Sequence, residues 1–297
     1  MKFPVSLLVV LTILFSVTSA AAQTKAVVIP LPTARQLQNV VTVSPQGGDF
    51  TDPVAAVNSI SGAGSSNPYL VMIGPGEYTL TQPLVMKPYV SVRGAGRDIT
   101  TLTGSISSST IGSNSAIVVG ATFTRLSDLS IRNSGGGDYS IGIYNSNATY
   151  DITRIDVQAW GGGTGAIGTC GNYGMYNSFS SPRVADSLFY GSGKYAYGMY
   201  NDNSGPTLNR VELEAWVDEG LGCCEAYGIS SANSSHPYIR YSKLFGASYG
   251  LQQSGGTAHV SFSTFTSAFT VDTGGGAVLT CVFNDDNSGT TLNQTCN

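Results

Sequence analysis

Two kinds of side chain in this sequence could carry chemistry, and they are distributed differently. Among the 297 residues there are 18 Asp and Glu and 16 Tyr. The carboxylates are scattered, and their densest group comprises Glu212, Glu214, Asp218, Glu219 and Glu225. Such a group is ordinarily a solvated loop, although it could bind a cation or a basic partner. The tyrosines instead recur at regular intervals, which indicates a repeated structural unit.

No set of residues has the composition and spacing of a familiar catalytic or metal site. His236 and His259 stand apart, there is no Cys-x-x-Cys pair, and no acidic group offers the roughly six oxygen ligands of a calcium site. Asp186, in the segment DSLFYG, is a single carboxylate inside the repeat, whereas a catalytic constellation needs several groups. We therefore predict no catalytic residue, no metal and no cofactor.

The overall composition excludes several classes of protein. Lys and Arg number 14 against 18 Asp and Glu, so the net charge is −4 and no phosphate-binding basic patch is expected. Hydrophobic residues make up 41% of the chain, which argues against intrinsic disorder. The 37 Gly lack a three-residue period, which excludes collagen. We predict an all-β chain that does not bind nucleic acid.

Two short blocks recur along the chain. The first has the copies IGIYN (141–145), YGMYN (173–177), YGMYN (197–201), YGISS (227–231) and YGLQQ (249–253). The second is a set of three apolar or small residues, from Leu126/Leu129/Ile131 to a predicted last copy at Val278/Cys281/Phe283. Units of ~20–30 residues without a helical period cannot bury their own apolar face, so they must stack on one another. The repeats predict a parallel β-solenoid of about ten coils.

Stacking in register predicts columns of like residues, one residue from each coil. An apolar interior column would contain Ile143, Met175, Met199, Ile229 and Leu251. The other predicted columns are an amide column (Asn145, Asn177, Asn201), a column of small groups (Ser187, Ser242, Ser263, Cys281) and an outer column of alternating charge (Asp128, Arg154, Asp186, Arg210). Opposite charges on neighbouring strands stabilise a sheet, so the last column needs no substrate to explain it.

The candidate binding residues are Tyr144, Tyr176 and Tyr200. Because side chains alternate along a strand, these tyrosines should point outward if Met175 and Met199 point inward. The same alternation predicts an exterior strip of Gly beside them and inward-pointing tyrosines at 173, 197, 227 and 249. A row of exposed aromatic rings suits the apolar faces of sugars, although simple stacking of Tyr on Tyr would also account for it.

The N-terminal part of the chain has its own organisation. Residues 1–22 combine Lys2, an apolar run too short to span a bilayer and small residues before Gln23, so they are predicted to be a signal peptide. We divide the rest into an extension at 23–40 and one β-helix domain at 41–297. The sequence at 49–60 supplies an acidic N-cap and helical spacing, and predicts a helix at about 52–61 that caps the first coil.

Export would place the five cysteines in an oxidising compartment. Cys281 could pair with Cys296 and fix the C-terminal tail, while Cys170 could pair with either Cys223 or Cys224. Because the number is odd, at least one thiol is left over or pairs with another molecule. We expect a secreted or cell-surface protein, or a periplasmic one in a bacterium, without a membrane span.

Three segments give the sequence a resemblance to a known superfamily. GGDFTDPVAAVNSI (47–60), VMIGPGEYTL (71–80) and VRGAGRDITTLTG (92–104) resemble the opening of pectin methylesterases, which are right-handed parallel β-helices of the pectin lyase-like superfamily. With the later repeats, the resemblance covers about 41–284. It implies the fold, whereas the Gln-Ala-x-Ala and Asp-Phe-Ile-Phe-Gly segments and the Arg before Pro-Trp of those enzymes are missing here.

These observations leave three hypotheses for function. We favour a secreted, non-catalytic β-helix that binds polysaccharide or has a structural role at the cell surface. The first alternative is a polysaccharide-active enzyme, a lyase, hydrolase or esterase, with a non-standard site in the long loops. The second is a repeat that self-associates or binds another protein. Product release from glycans would distinguish the first alternative from a binding protein.

Overall fold

The computed structural model describes residues 39–163, 170–217, 224–267 and 269–296. The predicted signal peptide and all but the end of the predicted extension lie outside the described residues, as do Asp218, Glu219 and Cys223. Within the described ranges, no helix is long and apolar enough to cross a membrane.

The first coils contain the single α-helix of the described chain. The elements are β1 (Val40–Val43), α1 (Pro53–Ser59), β2 (Tyr69–Ile73), β3 (Gly76–Thr79), β4 (Leu84–Val85), β5 (Val90–Arg93), β6 (Thr100–Gly104), β7 (Ser107–Ser108) and β8 (Ala116–Val119). In α1, the Asp52 carboxylate accepts a hydrogen bond of 2.9 Å from the Val54 amide, and Val54, Ala56 and Val57 are buried. The predicted capping helix at about 52–61 is confirmed.

The middle coils have long strands of eight to ten residues. They are β9 (Arg125–Asn133), β10 (Tyr139–Ser146), β11 (Asp151–Ala159), β12 (Gly171–Ser178), β13 (Arg183–Ser192), β14 (Tyr195–Asp202), β15 (Thr207–Trp216) and β16 (Glu225–Ala232). The last coils have shorter strands: β17 (Tyr238–Arg240), β18 (Lys243–Gly246), β19 (Tyr249–Ser254), β20 (Thr257–Ser261), β21 (Thr264–Phe265), β22 (Phe269–Gly274), β23 (Val278–Val282) and β24 (Asp285–Asp286).

These strands form two long parallel sheets in the described part of the chain. Sheet I runs through ten strands in the order β1-β2-β5-β9-β11-β13-β15-β17-β20-β23 and also includes β3, β6, β18, β21 and β24. Sheet II runs in the order β4-β8-β10-β12-β14-β16-β19-β22, with β7 paired antiparallel to β10. From β8 to β17, consecutive strands alternate between the two sheets, so each coil adds one strand to each sheet. The prediction of an all-β parallel β-helix of about ten coils is confirmed.

Each long strand of sheet I bends at one residue with a left-handed backbone. These residues are Asp128, Arg154, Asp186 and Arg210, with φ between 53° and 59°. They interrupt the pairing between strands. Between β13 and β15, for example, Ala185 pairs with Asn209 and Ser187 pairs with Val211, but Asp186 between them has no paired residue. The bend turns the chain around the interior without a loop.

The predicted interior columns are confirmed by the register. Ile143 pairs with Met175, Met175 with Met199, and the column continues through Ile229 and Leu251, all fully buried. The amide column forms a continuous ladder: Asn145 Nδ2 donates to Asn177 Oδ1 at 2.8 Å, and Asn177 Nδ2 donates to Asn201 Oδ1 at 2.9 Å. Asn201 then donates to Ser231 Oγ at 3.1 Å, so the buried amides are mutually satisfied.

The predicted alignment of the last coil was wrong by three residues. Cys281 pairs with Val260, in the column of apolar residues, and Asn284 takes the place beside Ser263 that was assigned to Cys281. The left-handed residue of each coil sets the register, and in the last coil that residue is Phe283, with φ 53°. Val278 and Phe283 are therefore exposed. The suggested Cys281–Cys296 disulfide is present and ties the C-terminal tail to β23.

Candidate functional site

The three candidate tyrosines form a continuous row on the outside of sheet II. Tyr144, Tyr176 and Tyr200 are paired in register on β10, β12 and β14. Their rings stack at centroid distances of 5.8 Å and 5.0 Å with interplanar angles of 27° and 19°. They lie apart from the interior core and are half-buried. Their predicted outward direction therefore agrees with the structure, whereas a role in sugar binding stays a prediction.

A second row of tyrosines lies beside the first. Tyr173, Tyr197, Tyr227 and Tyr249 stack along sheet II at centroid distances of 4.7, 5.7 and 6.0 Å. The two rows touch edge to face, with Tyr173 and Tyr176 at 5.3 Å and 82°. The prediction that this second row points inward was wrong. We call the seven residues together the tyrosine surface.

The reason for the error lies at the glycine between the two rows. A Cβ on Gly142 would lie 2.2 Å from Val157 Cγ1, and one on Gly174 would lie 3.0 Å from Phe189 Cβ. Val157 and Phe189 belong to the interior core, so these glycines face inward and there is no exterior glycine strip. The strand bends at each of these glycines, so the Gly and the residue after it both face inward. Side chains therefore do not alternate between the two faces across the bend.

Several tyrosines of this surface have a raised pKa, which favours the protonated hydroxyl group. Burial raises the pKa of Tyr173, Tyr176 and Tyr197, and neighbouring tyrosines raise it further. Burial, followed by the charge of Asp202, also raises the pKa of Tyr200. A protonated phenol both donates and accepts a hydrogen bond, so the surface combines ring carbon with polar groups.

Carboxylates and polar side chains border the tyrosine surface. The first row continues in register through Ser230, Gln252 and Asp272, linked by hydrogen bonds of 2.7 Å and 3.0 Å. Tyr227 donates from its hydroxyl to Glu225 Oε2 at 2.8 Å. Toward the C-terminal coils the surface therefore ends in hydrogen-bonding groups, whereas at its other end Tyr144 is in register with the apolar Val119.

The charged turn column, comprising Asp128, Arg154, Asp186 and Arg210, forms as predicted. Arg154 binds Asp128 through Nε and Nη2 at 2.6 Å and 2.9 Å, and Arg210 binds Asp186 at the same two distances. Arg93 adds a contact of 3.0 Å to Asp128. Asp186 is therefore an ion-paired turn residue.

Sequence reasoning missed the continuation of this turn column. Tyr241, Phe262 and Phe283 occupy the next left-handed positions and stack at 5.2 Å and 5.4 Å. All three are exposed, Phe283 by 71%. Tyr241 and Phe262 stand two residues after the first apolar residue of their repeats, as the charged residues do. Extending that spacing by two coils would have found them.

A second missed group lies on the outer face of sheet I. Lys243 Nζ contacts Glu212 Oε1 at 2.5 Å and Glu214 Oε1 at 3.5 Å. Trp216, which is 46% exposed, stacks on Phe245 at 4.3 Å beside this group. Lys243 is far from both glutamates in sequence, so only the register of β15 with β18 brings them together. Nowhere in the described ranges do three His, Cys, Asp or Glu converge as metal ligands.

Solved structures share this architecture, although no protein-family model and no curated protein matches the chain. A pectin methylesterase from Erwinia chrysanthemi has a TM-score of 0.60 at 13% identity, covering 87% of this chain and 91% of its own. The Dettilon tailspike protein has a TM-score of 0.56 at 15% identity, covering 84% of this chain and 50% of its own. The A-module of the Azotobacter vinelandii mannuronan C-5 epimerase AlgE4 has a TM-score of 0.50 at 13% identity, covering 81% of this chain and 74% of its own.

The fold is a parallel β-helix like that of these solved structures. The resemblance carried by residues 47–104 is thereby confirmed at the level of architecture. At identities of 13–15%, the roles of individual residues in those proteins do not transfer to this chain, and this fold hosts many activities. The function must therefore be argued from the surfaces of this chain.

Proposed function

We propose that this protein is an extracellular polysaccharide-binding β-helix without catalytic activity, and that its ligand lies along the tyrosine surface. The observation that supports this most is the unbroken first row, Tyr144, Tyr176 and Tyr200, with one ring on each of three consecutive coils. Coils repeat every ~4.8 Å. That repeat is close to the length that one sugar adds to an extended polysaccharide, so successive sugars would meet equivalent tyrosines.

The contacts available to such a ligand follow from the stacking. Rings offset at 5.0–5.8 Å leave an edge, a hydroxyl and part of a face accessible on each coil. Ring carbon suits the C–H faces of sugars, and the protonated hydroxyls suit their OH groups. The buried Tyr173 meets Tyr176 at 5.3 Å and Tyr200 at 5.9 Å, edge to face, and would hold the first row in place, so the surface is fixed before a ligand binds.

The first experiment is a binding screen against a panel of purified polysaccharides by affinity electrophoresis and calorimetry. Wild type should bind at least one of them, and a Tyr176→Ala/Tyr200→Ala double variant should bind at least about tenfold more weakly. Tyr241→Ala is the matched control, because it removes an exposed, stacked tyrosine from the turn column instead. Equal binding by the double variant and the wild type would overturn the proposal.

One observation favours the enzyme alternative. Burial is the largest influence on the pKa of Glu212 and raises it, but the hydrogen bonds with Lys243 and Glu214 and the charge of Lys243 together outweigh burial and leave that pKa below the ordinary value. Burial together with Glu212 raises the pKa of Glu214. Adjacent carboxyl groups with separated pKa values are a common acid and base arrangement. Release of reducing ends, unsaturated products or methanol, abolished by Glu214→Gln, would establish an enzyme instead of a binding protein.

Secretion and self-association are separate parts of the proposal. Cleavage before Gln23, checked by N-terminal sequencing of the exported protein, would support secretion.

The exposed stack of Tyr241, Phe262 and Phe283 is an apolar surface on which copies could associate. Sedimentation of the wild type beside Phe262→Ser tests that association, and a monomer at all concentrations would exclude it.

A further inference from the structure

The two sheets differ completely in their basic residues. Sheet I strands contain eight Lys and Arg, at positions 93, 125, 132, 154, 183, 210, 240 and 243. The strands of sheet II contain none, but they contain three carboxylates, Asp202, Glu225 and Asp272. The tyrosine surface lies entirely on sheet II, so its electrostatic environment is set by acidic groups.

Each of these carboxylates lies close to the tyrosine surface. Asp202 stands two residues after Tyr200 and in register with Ser178. Glu225 accepts the hydrogen bond from the Tyr227 hydroxyl at 2.8 Å. Asp272 ends the column that begins with Tyr144, and it accepts a hydrogen bond from Gln252 Nε2 at 3.0 Å. The charges therefore lie at several points along the path of a ligand that spans the coils.

No basic side chain in the described part of the chain forms an ion pair with any of the three. The ion pairs of the described residues involve Asp128, Asp151, Asp186, Glu212 and Glu214, all on sheet I. Asp202 is instead held by the amides of Asn203 and Asn233, at 2.9 Å and 2.5 Å, which leave its negative charge in place. Lys194 and Arg210 are equally near to Asp202 along the chain, and the Lys194 carbonyl, just before β14, accepts a hydrogen bond of 3.1 Å from the Glu225 amide.

We infer, on the basis of the proposed function, that the tyrosine surface selects an uncharged polysaccharide and rejects a polyuronate. A polyuronate carries one carboxylate on each sugar, so an extended chain over this surface would bring like charges together at Asp202, Glu225 and Asp272. Juxtaposed like charges are a strong barrier to association. An uncharged polymer uses the same ring and hydroxyl contacts without that repulsion.

The test compares two forms of one polymer, one charged and one esterified, and the carboxylate variant below separates the effect of charge from that of the added methyl groups. Polygalacturonate and its fully methyl-esterified form share a backbone, and their binding is measured at low ionic strength. We expect the esterified form to bind at least about tenfold more tightly, with the difference shrinking as salt is added. The variant Asp202→Asn/Glu225→Gln/Asp272→Asn should reduce the difference by raising the affinity for polygalacturonate, since each amide keeps an acceptor oxygen. Circular dichroism checks that it folds.

The possible failures are distinguishable. If Tyr176→Ala/Tyr200→Ala abolishes binding of both polymers and wild type binds both equally, the proposed function stands and the inference about charge is wrong. Preference for polygalacturonate overturns the inference directly. If the wild type binds neither this pair nor any neutral polysaccharide on the panel, both the inference and the proposed function are wrong.

Discussion

The tyrosine surface and the charged turn column are both ladders that repeat once per coil, but they are built by opposite rules. The first row of the tyrosine surface repeats one neutral residue on three successive coils. The turn column changes sign at every coil, from Asp128 through Arg154 and Asp186 to Arg210. Stacked coils place equivalent groups ~4.8 Å apart, where identical charges repel and identical rings attract.

The difference indicates which surface is available for binding. In the turn column each charged group is already engaged by its neighbour, with paired hydrogen bonds of 2.6 Å and 2.9 Å. In the tyrosine surface the rings contact one another but retain accessible edges and hydroxyl groups. A ladder of alternating charges is thus complete in itself, whereas a ladder of identical amphipathic groups can extend its contacts to a ligand.

The largest expected effect comes from placing a charge in the neutral ladder. Tyr176→Asp removes three ring contacts, those with Tyr144, Tyr173 and Tyr200, and adds a carboxylate near Asp202. We therefore expect the free energy of unfolding to fall by about 2–3 kcal/mol. Tyr176→Phe keeps the ring and should stay within about 0.5 kcal/mol of wild type. Chemical denaturation measures both. Equal losses in the two variants would show that the hydroxyl, and not ring stacking, stabilises the ladder.

Alkaline pH should weaken the tyrosine surface as a unit. Burial raises the folded-state pKa of Tyr173, Tyr176, Tyr197 and Tyr200, so their stabilising effect is present below the ordinary phenol value and is lost as pH rises through the folded-state values. We expect delayed tyrosinate absorbance and then a cooperative step that coincides with unfolding. Titration of all 16 tyrosines at the ordinary phenol pKa in the folded protein would contradict this.

A smaller effect is expected from breaking the alternation in the turn column. Arg154→Asp places three carboxylates on consecutive coils, and stability should fall by about 1 kcal/mol, because Arg154 and Asp186 are exposed although the Asp128 side chain is not. Arg154→Gln should lose less, and added salt should bring both variants closer to wild type. A melting temperature unaffected by the charge reversal would show that the column contributes nothing to stability.

The stabilisation that this column provides should be lost at acidic pH. The hydrogen bond from Arg154 outweighs partial burial and lowers the pKa of Asp128 below its ordinary value of 3.8. A depressed folded-state pKa gives stability that is present above the unfolded value and is lost as pH falls through the folded value. Wild type and Arg154→Gln should therefore converge in stability at strongly acidic pH. A constant difference from neutral to acidic pH would argue against the ion pair as its source.

The smallest effect is expected at the end of the charged part of the turn column. Arg210 has a left-handed backbone with φ 54°, a conformation that Asn adopts more readily than most residues. Arg210→Asn should leave the melting temperature essentially unchanged, because relief of backbone strain offsets the loss of an exposed ion pair. Arg210→Val, which cannot adopt this conformation easily, should lower it. Equal melting temperatures for the two variants would mean that backbone conformation is unimportant there.

In the middle coils, the sequence alone determined which residue lies above its equivalent in the next coil. The spacing of the repeats predicted the stacked core at Ile143, Met175 and Met199, the amide ladder and the alternating charges, because stacking in register converts a sequence interval directly into a contact. The capping helix followed from its local cap at Asp52. These features needed no knowledge of how each coil bends.

Only the tertiary structure decided what depends on the path within a coil. The bend at Gly174 places Tyr173 outside, next to Tyr176, because two successive residues face inward there and strand alternation is broken. The contact of Lys243 with Glu212, and the register of Cys281 with Val260, depend in the same way on where each coil turns. A repeat interval fixes which residues stack, whereas the side that they face depends on backbone bends that the interval does not encode.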